Sequence, residues 1–322
     1  MLAYRIDAFD GTACLQNIAP PSVGPGQVLL RARACGLNFA DLLMIQGKYQ
    51  ERPALPFTLG MELAGEVAAL GPGVTSLAVG DRIAAFAGQG GLAELACINA
   101  NVCTPIPDEM SFEDAAAFQV AYGTSHLALE HRANLRPGET LLVMGAAGGI
   151  GLTAVEIGKR LGARVIATAR GAEKLAIAAK AGADHLIDSD APELRTALKA
   201  LGGVDVVYDP VGGPAFMEAM RATNPEGRLI PIGFAGGEVP QIPANHLLVK
   251  NLTVIGLYWG GYLKFAPESL ANSMATLFDW YREGGLRPHI SHTIPLLRVE
   301  EALELLRARK STGKVVVTMG TH

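Results

Sequence analysis

LLVMGAAGGIGLTAVEIGKRL, residues 141–161, carries the signature of a strand, a glycine turn and a helix in succession. Leu141, Leu142, Val143 and Met144 form a continuous apolar run of strand length, suited to the doubly covered interior of a parallel sheet, and Gly145 to Gly151 break it. Past the break the period changes, with Ile150, Ala154, Ile157 and Leu161 falling on one helical face. A dinucleotide pyrophosphate needs backbone N–H groups at a helix N-terminus and no side chain in the way. Gly148 and Gly149 clear that approach, and Gly151 lets the helix pack close to the strand.

In the G-x-G-x-x-G pattern Ala146 replaces the first glycine, while Gly148 and Gly151 fill the other two positions. A glycine-rich turn of some other α/β protein, or a membrane span, would be the alternatives. Residues 140–155 carry no charge, but that run of 16 falls short of the roughly 20 residues a spanning helix needs, and its glycines cluster at the centre. Strand, turn and helix all fall where a nucleotide site requires them, so nucleotide binding is expected.

A chain of 322 residues is long enough for two domains with sizeable cores. Its net charge of −4, from 27 basic and 31 acidic residues, offers no electrostatic footprint for nucleic acid or anionic membrane, so a small-molecule partner is expected. With 49% hydrophobic and 18% charged residues the composition is that of a compact protein and argues against disorder. The start MLAYRIDAFDG has an acid at Asp7 and no apolar core, so no secretory signal is read and a cytoplasmic location is expected. Cys14, Cys35, Cys97 and Cys103 form no CxxC and are expected to be reduced, buried thiols.

Residues 1–120 read as mostly β, with alternation at Val28, Leu30, Ala32 and Ala34 and turns at PPSVGPG, GPGV and VGDR, as in a small barrel-like domain. Pro53, Pro56 and Gly60 place a loop or lid within residues 37–60, and a helical pattern spans about 112–130 with a domain boundary near Ala121. From Glu139 strands and helices alternate through LLVM, RVIATA, HLID, VDVVYD, RLIPIG and LTVIGLY, which makes a doubly wound parallel sheet. Helices at about 267–283 and 299–309 and a last strand KVVVT are assigned back to the first domain. The expected division is 1–120 with 259–322, and 121–258, leaving a cleft between the domains.

About 20 residues past the glycine turn, NAD-binding versions of this fold carry an acid for the ribose hydroxyls. Arg170 stands there, and with Lys174 it is placed to grip a 2′-phosphate, so NADPH is expected over NADH. A solvated pair of surface cations is the alternative.

With CGLNFAD at 35–41, GMELAG at 60–65, VGDR at 79–82 and the AAGGIG turn, the chain resembles the medium-chain dehydrogenase/reductase superfamily over nearly its whole length. DLLMIQGKYQ, DPVGG, GFAGG, GLYWGGY and STGKVVV look most like its NADPH-dependent quinone oxidoreductase branch. The resemblance implies a Rossmann domain for NADPH plus a GroES-like β-barrel catalytic domain. Zinc alcohol dehydrogenases of the superfamily hold catalytic metal through a cysteine in CGxCxxD and a histidine in GHE. Asn38 and Met61 occupy those positions here, and neither supplies a thiolate or imidazole, so no metal is expected.

A zinc-free site suits quinones and activated alkenes, where hydride addition puts charge on an oxygen that a hydrogen bond can stabilise. By resemblance, Asn38 and Thr124 are polar groups beside the nicotinamide or substrate oxygen; a loop-capping Asn and a helix-start Thr are their structural alternatives. Tyr49 matches the spacing at which related enoyl-thioester reductases place a tyrosine proton donor, though packing is the commoner role of a loop tyrosine. Gly148, Gly149, Ile150 and Gly151 are expected at the pyrophosphate, and Arg170 and Lys174 at the adenosine phosphate. Gly233, Phe234, Leu257 and Tyr258 are expected along the nicotinamide side, while Ser189 departs from the aromatic residue some relatives carry near the adenosine phosphate. No YxxxK, GxSxG or HExxH occurs, which sets aside short-chain reductases, serine hydrolases and zincins. Reduction of a quinone is the leading expectation, reduction of an enone, alkenal or enoyl thioester its rival, and a nucleotide-binding structural or sensor protein the non-enzyme alternative. The apolar edge strand near Leu252–Tyr258 predicts a homodimer.

Overall fold

The computed structural model describes residues 1–10 and 12–320. The chain divides into two compact units, Met1–Val120 with Pro288–His322, and Ala121–Arg287.

In the second unit six parallel strands lie in the order His185–Asp188, Arg164–Ala169, Thr140–Val143, Val204–Asp209, Thr223–Pro231 and Thr253–Val254. Numbered along the chain that is 3-2-1-4-5-6, and the order reverses between Thr140–Val143 and Val204–Asp209, where doubly wound sheets open a crevice for ligands. Leu141, Leu142, Val143, Val206 and Val207 have no solvent exposure, as helices on both faces demand. The first helix, Gly149–Arg160, buries Leu152, Ala154, Val155 and Ile157. Ile150 and Leu161 are only half-buried, so its inner face is rotated from the expected one toward Leu152 and Val155. The sixth strand is only two residues long: Ile255 N–H donates to Leu229 O at 2.8 Å and the ladder then stops. Opposite the next residue stands Pro231, which has no N–H to give.

The return to the first unit comes at residue 288, later than the expected 259. Trp259 packs on Gly123, which holds the segment after the sixth strand in this unit, and His126 ties helix Pro267–Arg282 to it through Ser273 Oγ, 2.9 Å from His126 Nδ1, and the Trp280 ring, edge-on at 5.1 Å.

The first unit is built on Gln27–Gly36, a ten-residue strand that pairs antiparallel with Glu62–Leu70 on one side. On the other it pairs Leu95–Asn99 with its first half and Lys314–Thr318 with its last residues. Val28, Leu30, Ala32 and Ala34 face inward as their alternation requires. The proline-interrupted segment holds helix Phe39–Ile45 and the short strand Phe57–Thr58. Of the four cysteines, all free, only Cys35 is buried; Cys14 is exposed, because the short edge strand Cys14–Asn17 pairs on one side only. No helix of the described residues is long and apolar enough to cross a membrane.

Candidate active site

The residues expected at the nucleotide lie in the second unit, at the carboxyl ends of the parallel strands. Gly148 is the N-cap of helix Gly149–Arg160, exposed and extended (φ −80°, ψ 172°), and no side chain caps that N-terminus. Uncapped first-turn N–H groups and the positive end of the helix dipole are what an anionic phosphate needs. A β-carbon at Gly151 would lie 2.3 Å from Gly145 O, so only glycine fits where the turn folds back on the helix.

Beneath this turn Ser125 Oγ meets Ile150 O at 3.0 Å, Thr153 Oγ1 at 2.8 Å and Tyr208 Oη at 2.9 Å. This buried hydroxyl cluster, which sequence reading missed, fastens helix Gln119–His126 to the first turn of the glycine-turn helix and to the fourth strand. Burial pushes the Tyr208 hydroxyl above its ordinary range, so it stays protonated. Thr124 neighbours Ser125 in the last turn of that helix, 8% exposed; it does not start the helix.

Arg170 caps helix Gly171–Lys180 from the end of the second strand, and Lys174 follows in its first turn. Arg170 Nε donates to Asp190 Oδ1 at 3.1 Å, and Asp188 accepts the Gly171 N–H at 3.2 Å, so a 2′-phosphate would share Arg170 with Asp190. Gly233 and the exposed Phe234 follow the fifth strand, where Ile232 N–H and Gly233 N–H both point at Asp209 O. Leu257 and Tyr258 lie beyond the sixth strand, half-buried and 37% exposed.

Asn38 and Tyr49 belong to the first unit. The pairings of Gly36 with Glu62 and with Val316 bring three strands together just before Asn38. Asn38 is the N-cap of helix Phe39–Ile45, and its backbone N–H is held by Asp41 Oδ2 at 2.8 Å. Its side chain does not cap the helix. Asn38 Nδ2 donates to Glu62 Oε1 at 2.9 Å and Gly36 O at 3.4 Å, while Asn38 Oδ1 accepts Lys314 Nζ at 2.8 Å. Lys314 Nζ also bonds Glu62 Oε1 at 2.7 Å, with the two side chains 6% and 1% exposed, and Glu62 Oε2 takes the Val120 N–H at 2.9 Å. Burial raises Asp41 to about 7 and pushes the Cys35 thiol well up. Tyr49 is half-buried in the loop after the helix.

Glu62, Lys314 and Asp41 were absent from the expected site. The signal for Glu62 and Lys314 is a charged residue set in an apolar strand run, MELAG and GKVVV. The arrangement is a poor fit for catalytic zinc. Asn38 and the buried Met61 are an amide and a thioether, and a metal bound by them would sit beside the ammonium already on Asn38 Oδ1.

Two family models match the chain: an alcohol dehydrogenase GroES-like domain over residues 24–108 and a zinc-binding dehydrogenase over 149–279. The chain is 43% identical over 302 residues, 92% of its length and 82% of the other's, to the quinone oxidoreductase-like protein 2 homolog of Nematostella vectensis. It superposes on the quinone oxidoreductase of Thermus thermophilus, solved with NADPH, at TM-score 0.87 and 36% identity, covering 99% and 100% of the two chains. The Escherichia coli quinone oxidoreductase complexed with NADPH matches at TM-score 0.91 and 28% identity, with the same coverage. A parallel sheet with a glycine-turn helix at its switch point, a GroES-like unit and these likenesses agree, and the chain belongs to the quinone oxidoreductase family of medium-chain dehydrogenases/reductases.

Proposed function

We propose that this oxidoreductase binds NADPH and passes its hydride to a quinone without a catalytic zinc. The observation that carries the reading is the uncapped helix N-terminus at Gly148–Gly151, at the sheet's switch point, with Arg170 in place of the ribose-binding acid. NADPH supplies the hydride. The first-turn amides bind pyrophosphate, Arg170 and Lys174 bind the 2′-phosphate, and Gly233, Phe234, Leu257 and Tyr258 flank the nicotinamide. Asn38 and Thr124 contribute polar contacts near the reacting atoms. The relatives named as quinone oxidoreductases support the substrate class, and Asn38, Met61 and Lys314 support a site that works without zinc.

The rival, reduction of an activated alkene, is favoured by one observation: Tyr49 lies on the loop just beyond the Asn38 helix, a phenol able to hold a proton at neutral pH. NADPH oxidation measured against naphthoquinones, an alkenal and crotonyl thioester, with NADH in parallel, separates the two. Preference for quinones upholds the main reading and preference for the alkenes replaces it. A homodimer through the Thr253–Val254 edge and a cytoplasmic site of action, in keeping with the four free thiols, complete the proposal.

A further inference from the structure

The amide of Asn38 is committed on nearly every side. Both its hydrogens point at acceptors, Glu62 Oε1 and Gly36 O, and its oxygen receives the Lys314 ammonium. Turned over, the amide would set Nδ2 against the ammonium and Oδ1 against the carboxylate, two repulsions in a buried setting. One orientation therefore wins, and what remains is a single lone pair on Asn38 Oδ1. Asn38 is half-buried, while Glu62 and Lys314 behind it are closed to solvent.

We propose that Lys314 and Glu62 are positioning residues that lock the Asn38 amide, so that Asn38 serves the reaction as a hydrogen-bond acceptor for a hydroxyl and never as a donor to the developing oxyanion. The hydroxyl comes either from the ribose of the bound cofactor or from the reduced substrate. This rests on the placement of Asn38 near the reacting atoms in the proposed function. An oxyanion needs donors, so its stabilisation falls to other groups. Lys314 has one ammonium hydrogen beyond the two bonds to Asn38 and Glu62.

The test uses four variants of the full chain: Asn38→Ala, Asn38→Asp together with Glu62→Gln, the pair Glu62→Gln with Lys314→Met, and that pair combined with Asn38→Ala. The pair removes both buried charges together, because removing one alone strands the other. Each is followed by NADPH fluorescence titration, by kcat and KM with a naphthoquinone, and by thermal melting. Asn38→Ala and the paired variant are expected to show the same loss, about tenfold for one hydrogen bond, and the triple variant no further loss. A loss in NADPH affinity assigns the hydroxyl to the cofactor; a loss in kcat with NADPH affinity unchanged assigns it to the substrate. Asn38→Asp made together with Glu62→Gln keeps an acceptor at position 38, gives it a donor where the carboxylate stood and retains one carboxylate for Lys314; it is expected to regain at least about threefold of the activity that Asn38→Ala loses, and it decides the matter should the paired variant not fold.

Wild-type constants in the paired variant beside an impaired Asn38→Ala overturn the positioning role. Losses that multiply in the triple variant do the same. Asn38→Asp with Glu62→Gln as impaired as Asn38→Ala overturns the acceptor role. A wild-type Asn38→Ala removes instead the assignment of Asn38 to the site on which the inference rests.

Discussion

Replacing Gly151 with alanine separates the packing role of the glycine turn from its binding role, provided Gly148→Ala is measured beside it. A β-carbon at Gly151 would lie 2.3 Å from Gly145 O, 2.8 Å from Ala146 Cα and 3.0 Å from Ala146 C, all backbone atoms. Alanine gains about 1 kcal/mol over glycine in a helix interior, against roughly 1–3 kcal/mol for overpacking. Because the clash is with main chain that cannot rotate away, the steric cost wins. With three backbone contacts the steric cost falls in the upper part of that range, roughly 2–3 kcal/mol, and the net loss of about 1–2 kcal/mol lowers the melting temperature by roughly 2–8 °C in a unit of this size. At Gly148 the added carbon would meet only Gly145 O, at 3.4 Å, an ordinary contact. The poorer N-cap, about 0.5–1 kcal/mol, is offset by about as much from a stiffer unfolded chain, so stability stays nearly unchanged. The new methyl, however, stands on the open approach to the first-turn amides. Losing one charge-assisted hydrogen bond there weakens NADPH binding roughly tenfold to a hundredfold. Melting by circular dichroism and NADPH fluorescence titration read the two effects. A Gly151→Ala protein that melts at or above the wild type, or a Gly148→Ala protein that binds NADPH normally, refutes the reasoning.

Alanine at both Arg170 and Lys174 is expected to cut the preference for NADPH over NADH roughly tenfold to a hundredfold, measured as a ratio of kcat/KM values; an unchanged ratio removes them from the 2′-phosphate. Tyr49→Phe is expected to leave quinone reduction within about threefold while abolishing any alkene reduction, since only the latter needs a proton at carbon. Glu156 is raised to about 7 by burial, against hydrogen bonds donated by Tyr122 Oη at 2.5 Å and Arg287 N–H at 3.3 Å. The folded state therefore holds this proton more tightly than the unfolded chain does, and stability falls as pH rises from the ordinary carboxylate range through about 7. Glu156→Gln should flatten that fall by on the order of 1–3 kcal/mol, seen in urea melts across the range. Light scattering should give twice the chain mass if the Thr253–Val254 edge pairs with its copy, and a monomer denies that pairing.

The strands of the second unit were legible because each is a short apolar run ending at a turn, and residues 164–169, 185–188 and 204–209 begin and end where the sequence reading put them. Their order was not legible, since the neighbouring of Thr140–Val143 and Val204–Asp209 is a contact across some sixty residues that no local pattern encodes. By hydropathy alone Leu252–Tyr258 is one strand. Its length is decided by the partner strand, which ends at Pro231. The later domain return has the same origin, since the packing of Trp259 on Gly123 is invisible along the chain. In the candidate site, the glycine turn and Arg170 announce themselves by spacing. Glu62 and Lys314 are 252 residues apart, and only the sheet register around Gly36 brings them to Asn38.

The most direct measurement is the initial rate of NADPH oxidation with a naphthoquinone by protein stripped with a chelator and shown free of zinc by metal analysis, compared with NADH at equal concentration. The account predicts turnover undiminished by chelation and at least about tenfold higher kcat/KM with NADPH, as one charge-assisted phosphate contact would give. Turnover that appears only when zinc is restored, or equal rates with the two nucleotides, would contradict it.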